Sequence, residues 1–248
     1  MIRTWKINFE FIGPISVKSP LSFKQEKGFS LQQFYSDIKI SSAIYGINVT
    51  VTAYADNIRD AEIAAHVFLG RMRDVLSTII DLPIQINRNE GILSLKTRFK
   101  SKILLEKEDF ISAFNKARIY EIHEPKLLQA MGWYSKAKLS TNPYDQFFSY
   151  WNAIEILGVA YHTKTERTKS GSVNKIYQSF LDYFGNQDHW PVQDTWINKF
   201  YGLRNSLYHG GTGTTLEDII KISSEIHSIS SISSKYIQQI MHKIDINI

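Results

Sequence analysis

The spacing of apolar residues changes along this chain, and the change constrains its fold more than any other feature. Ile2 to Phe11 alternates polar and apolar residues, and so does Ile38 to Tyr54, where Ile44-Tyr45-Gly46-Ile47 has the make-up of a hairpin turn between two short strands. From Asn57 to Ile80 the spacing becomes three and four. Ala61, Ala64, Ala65, Phe68, Met72, Val75, Leu76 and Ile79 then form one helical stripe, which Asp56 or Asn57 can cap and Leu82-Pro83 closes. Ile92 to Leu105 returns to a period of two. Beyond Glu124-Pro125 strand signals give way, and the pattern predicts helices over 126–138, 143–159, 173–184, 193–208 and 216–244. The last of these carries Ile219, Ile222, Ile226, Ile229, Ile232, Tyr236, Ile240 and Ile244 along one side, a stripe that needs a bundle to pack against. The expected architecture is α+β: an N-terminal mixed β-sheet with a packing helix over 1–124, of unassigned role, and an all-α helical bundle over 125–248.

Composition narrows the chemistry. Of 248 residues, 43% are hydrophobic and 21% charged, enough apolar material for a core and too little charge excess for a disordered chain. Cysteine is absent, which excludes disulfides, thiolate catalysis, zinc ribbons and iron–sulfur clusters. The first residues alternate like a strand instead of placing a basic segment before an apolar block, and no apolar run nears the ~18 residues that span a bilayer. A cytoplasmic protein with no membrane association is expected. His66, His123, His162, His189, His227 and His242 are scattered without metal-ligand spacing, and no phosphate loop or dinucleotide fingerprint occurs, so neither metal nor cofactor is expected.

The net charge of +5 matters less than its placement. If 92–105 is a strand, Leu93, Leu95, Phe99 and Ile103 share one face, while Lys96, Arg98, Lys100 and Lys102 share the other. That row is either a track for RNA phosphates or the solvated face of an edge strand guarded by lysine. A second cluster, Lys164, Arg167 and Lys169 against the lone acid Glu166, falls in a polar segment that reads as a mobile loop and could close over an anion. The aromatic run Trp133, Tyr134, Tyr144, Phe147, Phe148, Tyr150 and Trp151 has helical spacing, which suits a core or a dimer interface better than base stacking.

The segment Phe200-Tyr-Gly-Leu-Arg-Asn-Ser-Leu-Tyr-His-Gly-Gly carries the most chemistry. The glycines after His209 are a helix stop signal, which places the histidine in a last turn where the carbonyl end favours its cationic form. Histidine moves protons near neutral pH, and a guanidinium holds phosphate through paired hydrogen bonds, so Arg204 and His209 suit phosphodiester cleavage. Five residues apart on an ideal helix they diverge by ~140°, so they can share a site only if the helix unwinds or the arginine reaches around. Glu155, in the otherwise apolar stretch Trp151 to Val159, needs a partner if buried, and Arg204 is an evident one. Such a pair would either hold the arginine for catalysis or simply join two helices.

Arg204-Asn-Ser-Leu-Tyr-His209 resembles the R-N-x-x-x-H form of the motif of HEPN domains, and Phe147-Phe-Ser-Tyr-Trp-Asn-Ala-Ile-Glu-Ile-Leu157 resembles the helix that precedes it in ApeA-like HEPN proteins. The likeness spans about residues 126 to 244. It implies a metal-independent endoribonuclease, plausible as a defence or toxin effector, in which the RNA 2′-hydroxyl attacks the phosphate. Arg204 would bind the scissile phosphate, His209 would transfer protons, Asn205 would orient the phosphate or a neighbour, and Glu155 would support them. A homodimer through the helical domain and a regulatory protein partner are also implied. Where family members silenced by nucleotidyl transfer have a tyrosine two residues after the histidine, this chain has Gly211, and residues 1–124 have no counterpart in the family. The alternative is a catalytically inactive HEPN-like module used for dimerisation or for RNA or ligand binding.

Overall fold

A computed structural model describes residues 3–28, 33–88, 99–209 and 215–246. The chain is α+β and divides into two compact units, Met1–His123 and Glu124–Ile248.

The first unit is built on a five-stranded antiparallel sheet in the order β3-β4-β5-β1-β6, where β1 is Arg3–Ile12, β3 Leu21–Gly28, β4 Gln33–Ala43, β5 Gly46–Ala55 and β6 Gln85–Arg88. Alternation sets its register. Ile7, Phe9 and Phe11 of β1 lie opposite Val51, Val49 and Ile47 of β5, and all six are buried, because a period of two sends every second side chain to the same face. The turn joining β4 to β5 is Ile44-Tyr45, as the sequence predicts, and Gly46 follows because a Cβ there would stand 1.9 Å from the Phe11 carbonyl oxygen. Helix α1, Ile58–Ile80, starts on Asn57, whose side chain accepts from the Asp60 N–H, and stops at Asp81 in the left-handed conformation (φ 55°). It packs on β5 and β1. A helix that the periodicity reading passed over, α2 (Lys107–His123), packs on α1 and β3, with Phe114 stacked on Phe68 at 4.7 Å and Gln25 donating to Asn115 at 2.6 Å.

Of the expected strand over 92–105, residues 92–98 lie outside the described residues and 99–102 are not strand. Of its cation row, Lys96 and Arg98 lie outside the described residues. Lys100 sits in a bend and Lys102 in irregular chain, and only β7, Ile103–Leu105, is a strand, paired in parallel with β2, Ile15–Val17. Ile103, assigned to the apolar face, is 45% exposed. Lys102 explains the departure: its ammonium donates to the Ala43 and Ile44 carbonyls at 2.7 and 2.9 Å, so the chain bends to close the β4–β5 hairpin instead of presenting the lysine to solvent.

The second unit is helical: α3 (Pro125–Leu139), α4 (Pro143–Ala160), α5 (Ser172–Phe184), α6 (Thr195–Tyr208) and α7 (Leu216–Ile246). Asn142 caps α4 by accepting from the Tyr144 and Asp145 amides, and Pro143 occupies the first turn, where its missing N–H leaves nothing unpaired. Helix α4 is central, packing on α3, α5 and α7, and Gly158 allows close approach, since a Cβ there would meet the Cα of Ile176 at 2.8 Å. The isoleucine stripe of α7 is buried at Ile222, Ile229, Ile232 and Ile240, and Tyr236 among them is fully buried. Of the aromatic run, Tyr134, Phe147, Tyr150 and Trp151 are buried in the core. Among the described residues no helix is long and apolar enough to cross a membrane, and no three histidines or acids gather in a metal-binding group.

Candidate functional site

Helix α6 is anchored at one end only. Its N-terminal half buries Trp196, Ile197 and Phe200 against α4, with Trp196 stacked on Phe200 at 4.1 Å, Phe200 stacked on Phe147 at 5.9 Å, and Trp196 6.5 Å from Trp151. Beyond Phe200 no residue of the helix is fully buried. The aromatic stack thus supplies the rigid seat, and the last two turns, which carry Arg204, Asn205 and His209, stand partly or wholly in solvent.

His209 is the C-cap of α6, at φ −92° and ψ 7°, and its N–H reaches the Asn205 carbonyl at 3.0 Å. The helix therefore stays wound through Tyr208, and the unwinding that would swing the histidine toward the arginine is not present up to this residue. Gly210 and Gly211 lie outside the described residues. Arg204 lies along its own face of the helix. Its Nη1 donates to Asn205 Oδ1 at 3.0 Å, and its guanidinium lies over the ring of Tyr208, Cζ 5.1 Å from the centroid. The imidazole of His209 meets the same ring edge-on, 5.3 Å between centroids at 85°. Tyr208, 67% exposed, is the residue that the sequence reading missed. Its signal was the i, i+4 spacing from Arg204, which places the two side chains on one face.

Among the described residues nothing accepts from the side-chain N–H groups of Asn205 while its Oδ1 holds the arginine, so it can orient the guanidinium and still donate to an anion. The guanidinium retains donors beyond the one spent on Asn205, enough to grip two oxygens of a phosphate.

Glu155 does not join this group. Half-buried on α4, it accepts from Trp151 Nε1 at 3.2 Å, and among the described residues no ion pair connects it to Arg204. The indole one turn back on the same helix satisfies the carboxylate, which removes the need for a cation from α6. Glu155 instead lines a groove of about 730 Å³ beside Trp133, Asn152, Ile156 and Val159.

The polar segment after α4 is more ordered than an open loop. Arg167–Lys169 forms a 3₁₀ turn around the buried Thr168, whose hydroxyl accepts from the Thr165 N–H at 2.9 Å and donates to the Thr165 carbonyl at 3.0 Å. Arg167 is spent locally, bonded to Asn174 at 3.2 Å and placed 4.4 Å over the Tyr177 ring, and Lys169 pairs with Glu166 at 2.6 Å. Lys164 stays exposed, with no carboxylate partner among the described residues.

No protein-family model, no curated protein and no solved structure matches this chain.

Proposed function

We propose that the protein is a metal-independent endoribonuclease of HEPN type, working on RNA in the cytoplasm as a homodimer. The observation that carries this reading is the exposed end of α6, where Arg204, Asn205, Tyr208 and His209 are held on a seated helix instead of being buried as structural relics. In the reaction the 2′-hydroxyl attacks the adjacent phosphorus while a base takes its proton. The bond to the 5′-oxygen breaks, and that oxygen receives a proton from an acid. Arg204 neutralises charge on the phosphate oxygens, Asn205 aligns the guanidinium, and His209 carries one of the two proton transfers. The products are a 2′,3′-cyclic phosphate and a 5′-hydroxyl.

A single histidine in the motif of each chain suits a site completed by a second copy. Tyr208 and Leu216, each 67% exposed, and Ile220 at 59% leave apolar surface at the end of α6 and the start of α7, which supports pairing through this part of the helical unit. A role in defence or toxicity, restrained by a regulatory protein, follows from the same reading, as does RNA contact through Lys164 and through Lys96 and Arg98. Lys100 is exposed and open to such contact, whereas Lys102 is committed to the hairpin carbonyls.

The test is RNA incubated in chelator with the protein and with Arg204→Ala and His209→Ala variants. Cyclic-phosphate product from the parent protein, reduced on the order of 100-fold or more in each variant, supports the reading. Equal cleavage by all three overturns it, and binding without any cleavage identifies the inactive module instead.

A further inference from the structure

A cavity of about 560 Å³ in the helical unit is lined by Val159 at the end of α4, by residues of the 162–169 segment and by Lys175 of α5. Its wall carries three lysines against one acid. Lys169 is paired with Glu166, which leaves Lys164 and Lys175 facing one cavity with no carboxylate partner among the described residues. Two like charges brought together without a counter-charge repel, and an anion between them reverses the sign of that energy. Lys175 also stands in the first turn of α5, whose N-cap Gly171 supplies no side-chain hydrogen bond, so the positive end of the helix adds to the same field. His162 and Thr165, which line the wall, each also keep a buried atom, Nδ1 and Oγ1, without a hydrogen-bond partner among the described residues.

Val159 lines this cavity and also the groove beside it, which holds Trp133, Ile156, Asn152 and Glu155. The two concavities therefore share one side chain, and their chemistry differs. The groove is largely apolar and aromatic, with Glu155 balanced by Lys126 on its wall, so it carries no net charge and receives a planar apolar body. The cavity is cationic. A ligand spanning both has its charge at one end and its ring at the other.

We propose that the joined concavities bind a small aromatic phosphomonoester, its dianion held by Lys164 and Lys175 and its ring placed over Val159 against Trp133. The site is separate from Arg204 and His209, and it stands whether or not the chain cleaves RNA.

Calorimetric titration of the full chain at low salt, with phenyl phosphate and with inorganic phosphate as probes, tests this. Phenyl phosphate should bind roughly tenfold or more tightly than inorganic phosphate and shift the indole resonance of Trp133, assigned with Trp133→Phe. Binding should weaken at least about tenfold in a Lys164→Ala/Lys175→Ala double variant and survive in Lys164→Arg/Lys175→Arg, which keeps both charges. It should also persist in Arg204→Ala, which separates this site from the cleavage reading. Equal affinity for the two probes overturns the proposal, as does unchanged affinity in the double alanine variant. Binding of a short single-stranded RNA without binding of phenyl phosphate also overturns it and makes the lysines a backbone track.

Discussion

The guanidinium of Arg204 lies over the ring of Tyr208, one turn further along α6, with 5.1 Å from Cζ to the ring centroid. The contact orients a long, flexible cation along the helix, toward the residue that His209 also touches from the ring edge. A tyrosine that is 67% exposed thereby becomes the hinge of the site: it buries little of itself, and what it does is limit where the arginine and the histidine can go.

Tyr208→Ala should therefore lower RNA cleavage by roughly tenfold through loss of arginine positioning, while Tyr208→Phe, which keeps the ring face, should stay close to the parent. Single-turnover cleavage rates check this, alongside thermal melts that should be the same for all three proteins because the side chain is exposed.

Lys102 gives a stability prediction in the first unit. Its ammonium closes the β4–β5 hairpin through two backbone carbonyls, so Lys102→Met, which keeps the aliphatic stem and removes the donors, should cost about 1–2 kcal/mol in urea unfolding. A loss within experimental error would show that the two carbonyls are as well served by water.

Gly158 tests the packing of α4 on α5. A Cβ there would press on the Ile176 backbone at 2.8 Å, and backbone yields less readily than the tip of a side chain, so Gly158→Ala should destabilise the helical unit by about 1–3 kcal/mol despite alanine's better helix propensity. If the substitution stabilised the protein instead, the helices would have to sit further apart than described.

The buried phenols predict how stability responds to alkali. Tyr236 is fully buried and donates to Ser179 Oγ, which in turn donates to the Tyr161 carbonyl. Burial pushes the Tyr236 phenol well above the usual range. Burial also raises Tyr161, helped by its hydrogen bond to Glu124, and raises Tyr183. In the folded chain these groups remain neutral where the unfolded chain has begun to ionise. Their stabilisation is intact below about pH 10 and is lost as pH rises beyond it, at roughly 1.4 kcal/mol per pH unit for Tyr236. Tyr236→Phe should cost about 1 kcal/mol at neutral pH and make the alkaline decline shallower, as measured by urea unfolding from pH 8 to 11. Parallel declines in the two proteins would refute the assignment.

Local pattern alone places the β4–β5 hairpin, the start of α1 at Asp56 or Asn57 and the five helices after residue 125, because alternation and three-to-four spacing record which face of each element meets a core. The helix 107–123 is legible in the same way, in the spacing of Phe110, Ala113, Phe114, Ala117 and Tyr120. The sequence likewise singles out Arg204, Asn205 and His209 as the residues with chemistry to do. What it does not determine is pairing across space. That Lys102 serves two carbonyls some sixty residues earlier, that Glu155 takes an indole instead of Arg204, and that Lys175 joins Lys164 around one cavity all depend on distances set by the packing of whole elements. Periodicity is a property of one segment, whereas the partner of a charge is whichever group the tertiary fold brings nearest to it, and only the folded chain decides that.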